Sequence, residues 1–89
     1  MAEFYIKDPG AKLDYQIDWS AWLGADTIST SAWTVQTGLT KVSDTHTTTT
    51  STVWLSGGTL GASYTVVNHI VTVGGREDDR TLVISIQDK

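Results

Sequence analysis

The chain has 89 residues, a formal net charge of −4, six Lys and Arg in total and no cysteine. That length predicts one domain, near the lower limit for a single hydrophobic core, and the absence of cysteine excludes disulfides and cysteine-bound zinc as its staples. The scattered cations exclude a nucleic-acid backbone as the main partner, and no apolar run is long enough to cross a membrane.

The first residues, Met-Ala-Glu-Phe-Tyr-Ile-Lys, contain no apolar signal region, so no signal peptide is read, and the lack of cysteine fits synthesis in a reducing cytoplasm or a domain held by neighbours in an assembly. Residues 3–7 read as a short arm or edge strand ended by the turn Asp8-Pro9-Gly10. This divides the chain into an arm over 1–11 and a folded domain over 12–89. Residues 12–19 alternate, with Leu13, Tyr15, Ile17 and Trp19 on one face and Lys12, Asp14, Gln16 and Asp18 on the other. Such alternation predicts a half-buried strand. Residues 20–24 break it and read as a helical turn capped by Ser20 and stopped by Gly24. Over 26–35, Ile28 and Thr30 keep one phase while Trp33 and Val35 keep the other, which predicts a bulge near Ser31 and Ala32.

After Gly38 a short strand is expected over 39–42, then a polar loop through 43–51 whose threonines also suit extended chain. Residues 52–55 form a strand closed by Ser56-Gly57-Gly58. Trp54 is out of phase with Val53 and Leu55, so one set must face outward. Residues 64–73 are a long β-branched strand, with Tyr64, Val66, Asn68 and Ile70 on one face and Val67, His69, Val71 and Val73 on the other. Apolar residues on both faces predict a central strand or one whose outer face meets a partner. Gly74-Gly75 opens a loop carrying Arg76-Glu77-Asp78-Asp79-Arg80, and the last strand turns Leu82, Ile84 and Ile86 inward.

Ala62-Ser63-Tyr64 stands where immunoglobulin-like domains place their tyrosine corner, and Val66 takes the position of their second disulfide cysteine. The expected fold is all-β: a single immunoglobulin-like antiparallel β-sandwich of about six or seven strands with a short N-terminal arm.

No reacting group is spelled out. His46 and His69 have no convergent ligands in sequence, and Glu77-Asp78-Asp79 lacks calcium-loop spacing and sits between its own counter-ions, Arg76 and Arg80. Asp14 and Asp18 are too far apart along one strand for a tight catalytic pair. There is no Gly-x-Ser-x-Gly elbow and no phosphate-binding glycine loop. No catalytic, cofactor-binding or metal-binding residue is assigned, no cofactor is expected, and an enzyme is rejected. The four tryptophans Trp19, Trp22, Trp33 and Trp54 are a large aromatic content for this length. Trp22, in an irregular connection, and Trp54 are the candidate interface anchors. His69, placed on an outer strand face, joins them.

Asp8-Pro9, Leu13-Asp14-Tyr15, Asp18-Trp19, Trp22-Leu23, Ala25-Asp26-Thr27-Ile28, Trp33, Gly38-Leu39, the segment Thr52-Val-Trp-Leu-Ser-Gly-Gly-Thr59, Tyr64-Thr65-Val66, Asn68 and Gly75-Arg76-Glu77-Asp78 follow one another in a distinctive order. In that order, over residues 7–86, the chain resembles the phage fiber-tail adaptors, small structural proteins of tailed bacteriophages. The resemblance implies a non-enzymatic immunoglobulin-like module of the virion, made in the host cytoplasm and placed in the tail or neck region. Its implied partners are the tail hub, connector or portal-associated proteins and the tail fibre, in a symmetric multi-copy assembly, with no nucleic acid and no membrane. Two other classes stay open: a capsid-decorating protein of the head, and a carbohydrate-binding module using exposed tryptophans. Phe4, Tyr5 and Ile6 are expected to add to a neighbour's sheet edge or to fill its groove. Deleting residues 2–7 is then expected to block incorporation and leave the domain folded.

Overall fold

The structure is a computed structural model and describes residues 2–88. In chain order the elements are β1 (Ala2–Lys7), β2 (Leu13–Asp18), α1 (Ser20–Leu23), β3 (Ile28–Val35), β4 (Leu39–His46), β5 (Thr50–Gly57), β6 (Ser63–Thr72) and β7 (Glu77–Ile86). They form two facing sheets, one of four strands in the order β1-β7-β6-β3 and one of three in the order β2-β5-β4. All pairings are antiparallel except β1 with β7, which is parallel. This is an immunoglobulin-like sandwich.

The core follows from period-two patterning. Ile17, Val53, Leu55, Val66, Ile70, Leu82, Ile84 and Ile86 are all buried between the sheets. Each removes a full aliphatic side chain from water, worth about 1.5–3 kcal/mol. Two hallmarks of the fold are present. The Tyr64 hydroxyl accepts the Thr59 N–H at 3.0 Å, which makes the tyrosine corner at the start of β6. Trp33 is buried on β3, in the place of the core tryptophan of immunoglobulin domains, and Val66 fills the place of the disulfide. The turn before β4 lies directly on the Tyr64 ring. A Cβ at Gly38, where φ is +108°, would come within 2.7 Å of the ring, so only glycine lets the chain pass.

A buried polar network crosses between the sheets. Trp19 Nε1 donates to Asn68 Oδ1 at 3.0 Å, while Asn68 Nδ2 donates to Ser31 Oγ at 2.9 Å and to the Ala32 carbonyl at 3.0 Å. Ser31 Oγ is in turn bonded to Ser51 Oγ at 3.0 Å. Asn68 is completely buried on the inward face of β6, so its amide depends wholly on these partners.

Five local expectations are corrected. The register shift in β3 lies between Ile28 and Thr30, not at Ser31 and Ala32, which leaves Ser31 inward to join that network. Ser20 is not the helix cap. Trp19 occupies that position without a side-chain bond, and the Asp18 carboxylate accepts the Ser20 N–H at 2.9 Å instead. The segment 43–46 is strand rather than loop. It pairs with β5 at an edge exposed on both faces, so it has no apolar phase to read. The hairpin that joins them is held by threonines, with Thr47 and Thr50 hydroxyls 2.7 Å apart. Finally, Glu77, Asp78 and Asp79 belong to β7, because the turn at Gly74 and Gly75 is tight: Thr72 N–H bonds the Arg76 carbonyl at 2.8 Å. Leu13, at the start of β2, is exposed rather than inward.

Candidate interaction surfaces

The outer face of the four-stranded sheet brings together three of the six residues singled out from sequence. The register places Phe4 beside Val83 and Ile6 beside Ser85, with Thr81 beside Val67 and Asp79 beside His69. Phe4 and Ile6 are exposed, at 77% and 47%. Around them Val67, Thr81, Val83 and Ser85 are half-buried, so this half of the face is uncharged, while Val71 lies beside Glu77 at the other end. Sequence phase alone identified Val67 and Val71 as outward; Val83 gained importance only when β1 was set beside it.

At the far end of that face His69 sits between two carboxylates. Its Nδ1 lies 2.5 Å from Asp79 Oδ1 and its Nε2 lies 3.0 Å from Glu77 Oε1. Both ring nitrogens therefore face acceptors, which favours the imidazolium. The bond to Asp79, then that to Glu77, raises the histidine above its ordinary value of 6.5. These carboxylates serve His69 rather than the arginines that flank them in sequence. Among the described residues no group of three or more His, Asp or Glu side chains is arranged to hold a metal ion.

Tyr5 turns the other way, into the sandwich, where its ring meets Tyr15 edge-on with centroids 5.0 Å apart. Trp22 is only half-exposed. It packs edge-on against buried Trp19 at 5.4 Å and is covered by the Arg76 guanidinium, 4.4 Å from the ring centroid. Arg76 also reaches the Leu23 carbonyl at 2.8 Å and Asp26 Oδ2 at 3.2 Å, and Arg80 lies 4.4 Å over Trp19 while donating to the Asp18 carbonyl. The two stacks clamp α1 over the end of the core. They were missed in sequence because both partners of each are far apart along the chain.

Asp26 is the hub of this end. It accepts from the Thr27 and Gly74 N–H groups and from Arg76. The Thr72 hydroxyl, with these donors, lowers its pKa from 3.8 to about 2. A depressed carboxylate stabilises the fold above its unfolded value. Its contribution should therefore fall away as the pH drops from 3.8 toward about 2. His69 has the opposite sign: its contribution is complete below 6.5 and is lost as pH rises through its higher folded value. Thermal unfolding followed against pH should show the acid decline in the native chain and a flatter acid limb in Asp26→Asn.

Trp54 lies on the opposite side of the molecule, on the outer face of the three-stranded sheet, and is 38% exposed. Val53 and Leu55 take the inward positions, which decides the phase question left by the sequence. Its cross-strand neighbours are Asp14 and Ser43, and Gln16, Thr52 and Thr45 form the next row, so one aromatic ring stands on a polar surface.

The whole molecule measures 41 × 22 × 20 Å. Its two broad faces carry different exposed apolar groups, Phe4 and Ile6 on one and Trp54 on the other. A family model described as podophage GP4 fiber-tail adaptor protein gp77 matches residues 7–85. The chain belongs to that family. The span of the gp77 adaptor family includes Trp22, Trp54 and His69, while Phe4, Tyr5 and Ile6 precede it. Comparison with curated proteins finds no match. As a gp77-family member the chain is a fiber-tail adaptor structural protein of a bacteriophage, and its immunoglobulin-like sandwich is the frame on which these two faces are set.

Proposed function

We propose that this chain is a non-catalytic connector of the virion that links tail fibres to the tail hub or connector through protein–protein contacts. The observation that carries the reading is the family match over residues 7–85. Two structural features support it. Phe4, Ile6 and Val83 offer apolar area on one face, and Trp54 offers a single aromatic anchor on the other. An adaptor needs two surfaces of different character, because symmetric use of one patch would join only like to like. In this reading Phe4, Ile6 and His69 belong to one contact and Trp54 to the other, while Trp22 packs α1 against Trp19 beneath the Arg76 guanidinium.

Gold labelling of this chain on intact particles tests the location. Label confined to the neck or tail, where fibres emerge, is the expected result. Label spread over the head would identify a capsid-decorating protein instead. The contact at Trp54 has its own test. Because the ring is part-exposed on the outer face, Trp54→Ala should change stability by no more than about 1 kcal/mol, yet reduce incorporation about tenfold or more, as loss of an anchor does. A folded variant that assembles at the native level would remove Trp54 from the interface.

A further inference from the structure

β1 is the outermost strand of its sheet and is paired on one side only. The Lys7 carbonyl accepts the Gln87 N–H at 3.0 Å, so the backbone groups of Lys7 face β7. These groups alternate sides along a strand. Those of Tyr5 and Glu3 therefore face β7 as well, and the N–H and C=O of Phe4 and Ile6 face the open edge. The same two residues carry exposed apolar side chains. Unpaired backbone groups and uncovered apolar area thus coincide.

Folded proteins usually blunt such an edge with a proline, a bulge, an outward lysine or an inward charge that a new neighbour would strand. One free edge of the other sheet, β4, has Lys41, Asp44 and a register break between Lys41 and Ser43. β1 keeps an unbroken register, and Pro9 lies beyond it. Its inward charge, Lys7, is already withdrawn. The side chain is fully buried, with Nζ donating to the Gly57 carbonyl at 2.7 Å and to the Asp8 carbonyl at 2.9 Å. A strand added at the edge would take no water from that ammonium.

We infer that β1 pairs antiparallel with β1 of a second copy of this chain, about a two-fold axis through Tyr5. What selects a second copy is the self-complementary run Glu3-Phe4-Tyr5-Ile6-Lys7. Reversed upon itself, it sets Glu3 opposite Lys7, Phe4 opposite Ile6 and Tyr5 opposite Tyr5. Both exposed apolar residues meet each other, and no like charges face across the junction. Phe4 and Ile6 are also the residues whose backbone groups face the junction. The two Phe4–Ile6 pairs therefore exchange about four hydrogen bonds. Centring the pair on Phe4 or on Ile6 instead would set Ile6 opposite Ala2 or Phe4 opposite Asp8, so only the Tyr5-centred register pairs the two exposed apolar residues with each other. The pairing joins two four-stranded sheets into one and makes their outer faces continuous. It goes beyond the adaptor reading and does not depend on where in the virion the chain sits.

Sedimentation equilibrium of the isolated full chain tests it, at concentrations up to about 1 mM. The expected mass is twice 9.7 kDa. Ile6→Pro removes a donor at the open edge and none facing β7, a position where edge strands accept proline. It should weaken the dimer at least about tenfold. Phe4→Asp, at an exposed residue, sets a carboxylate opposite Ile6 and should weaken it as well; thermal unfolding confirms that each variant is folded. Should the proline variant fail to fold, Phe4→Asp carries the test. A monomeric native chain at the highest concentration overturns the proposal, as does a dimer that the folded variants leave unchanged. Either result leaves the gold-labelling test of the tail location standing.

Discussion

Asn68→Ala should destabilise the domain by about 3–4 kcal/mol, a large share of the roughly 4–13 kcal/mol expected for a domain of this size. The amide joins Trp19 on the connection after β2 to Ser31 and Ala32 on β3, and through Ser31 to Ser51 on β5. Alanine leaves the Trp19 indole N–H without its acceptor and takes one donor from both Ser31 and the Ala32 carbonyl. Each buried group left unpaired costs about 1–3 kcal/mol, and the void adds to it. Leucine at this position would not rescue the fold, because it fills space without restoring any of the three bonds. Urea unfolding measures the effect as a lower midpoint at unchanged slope. A loss below about 1 kcal/mol would show that the network does not hold the sheets together as described.

Deletion of Ala2–Lys7 is the second large effect, and here the pairing of β1 revises the expectation that its loss leaves the domain folded. β1 pairs with β7 from Ala2 opposite Thr81 to Lys7 opposite Ile86. Tyr5 packs on Tyr15, and the buried Lys7 ties β1 to Gly57 at the end of β5. Removing the strand uncovers the flank of Ile84 and Ile86 and discards several backbone bonds. The combined loss is on the order of 4 kcal/mol. The truncated chain should show a much lower melting temperature than Ile6→Pro, which keeps β1 in place. Failure of truncated protein to enter particles would therefore report on folding, whereas failure of a folded point variant reports on the interface.

Much of the fold was legible because burial at period two leaves a strong mark. Tyr64, Val66, Asn68 and Ile70 were assigned to one face of β6, and all four are buried. Ala62-Ser63-Tyr64 marked the tyrosine corner, and the Tyr64 hydroxyl makes its expected backward bond to Thr59. Gly24 stopped α1 as expected, with φ at +62°. Where the reading failed, the local signal was absent or ambiguous. Residues 43–46 lie on an edge strand with little burial, so no apolar phase distinguishes them from loop. Glu77 and Asp79 looked like loop residues because strands seldom begin with carboxylates. They are accommodated by His69 across the ladder, a partner that only pairing reveals.

The candidate surfaces divide in the same way. That either Trp54 or its neighbours Val53 and Leu55 must face outward is a property of the chain itself, since adjacent strand residues cannot share a face. That Trp54 is the outward member followed from the sandwich closing over Val53 and Leu55. Trp22 was legible as an aromatic in an irregular connection, but its cover by Arg76 depends on a turn far along the chain meeting α1.

By itself the sequence determined an all-β sandwich, a long strand β6 with apolar residues on both faces, and an ordered series of residues that marks the fiber-tail adaptors. These are local or linear properties, written in alternation, turn residues and order. Tertiary structure alone decided that Asn68 bridges the sheets, that Arg76 and Arg80 clamp two tryptophans, and that Phe4 and Ile6 stand on an open edge beside Val83. Each of these joins residues distant in sequence, and such pairings depend on strand order and register, which no single segment of the chain encodes.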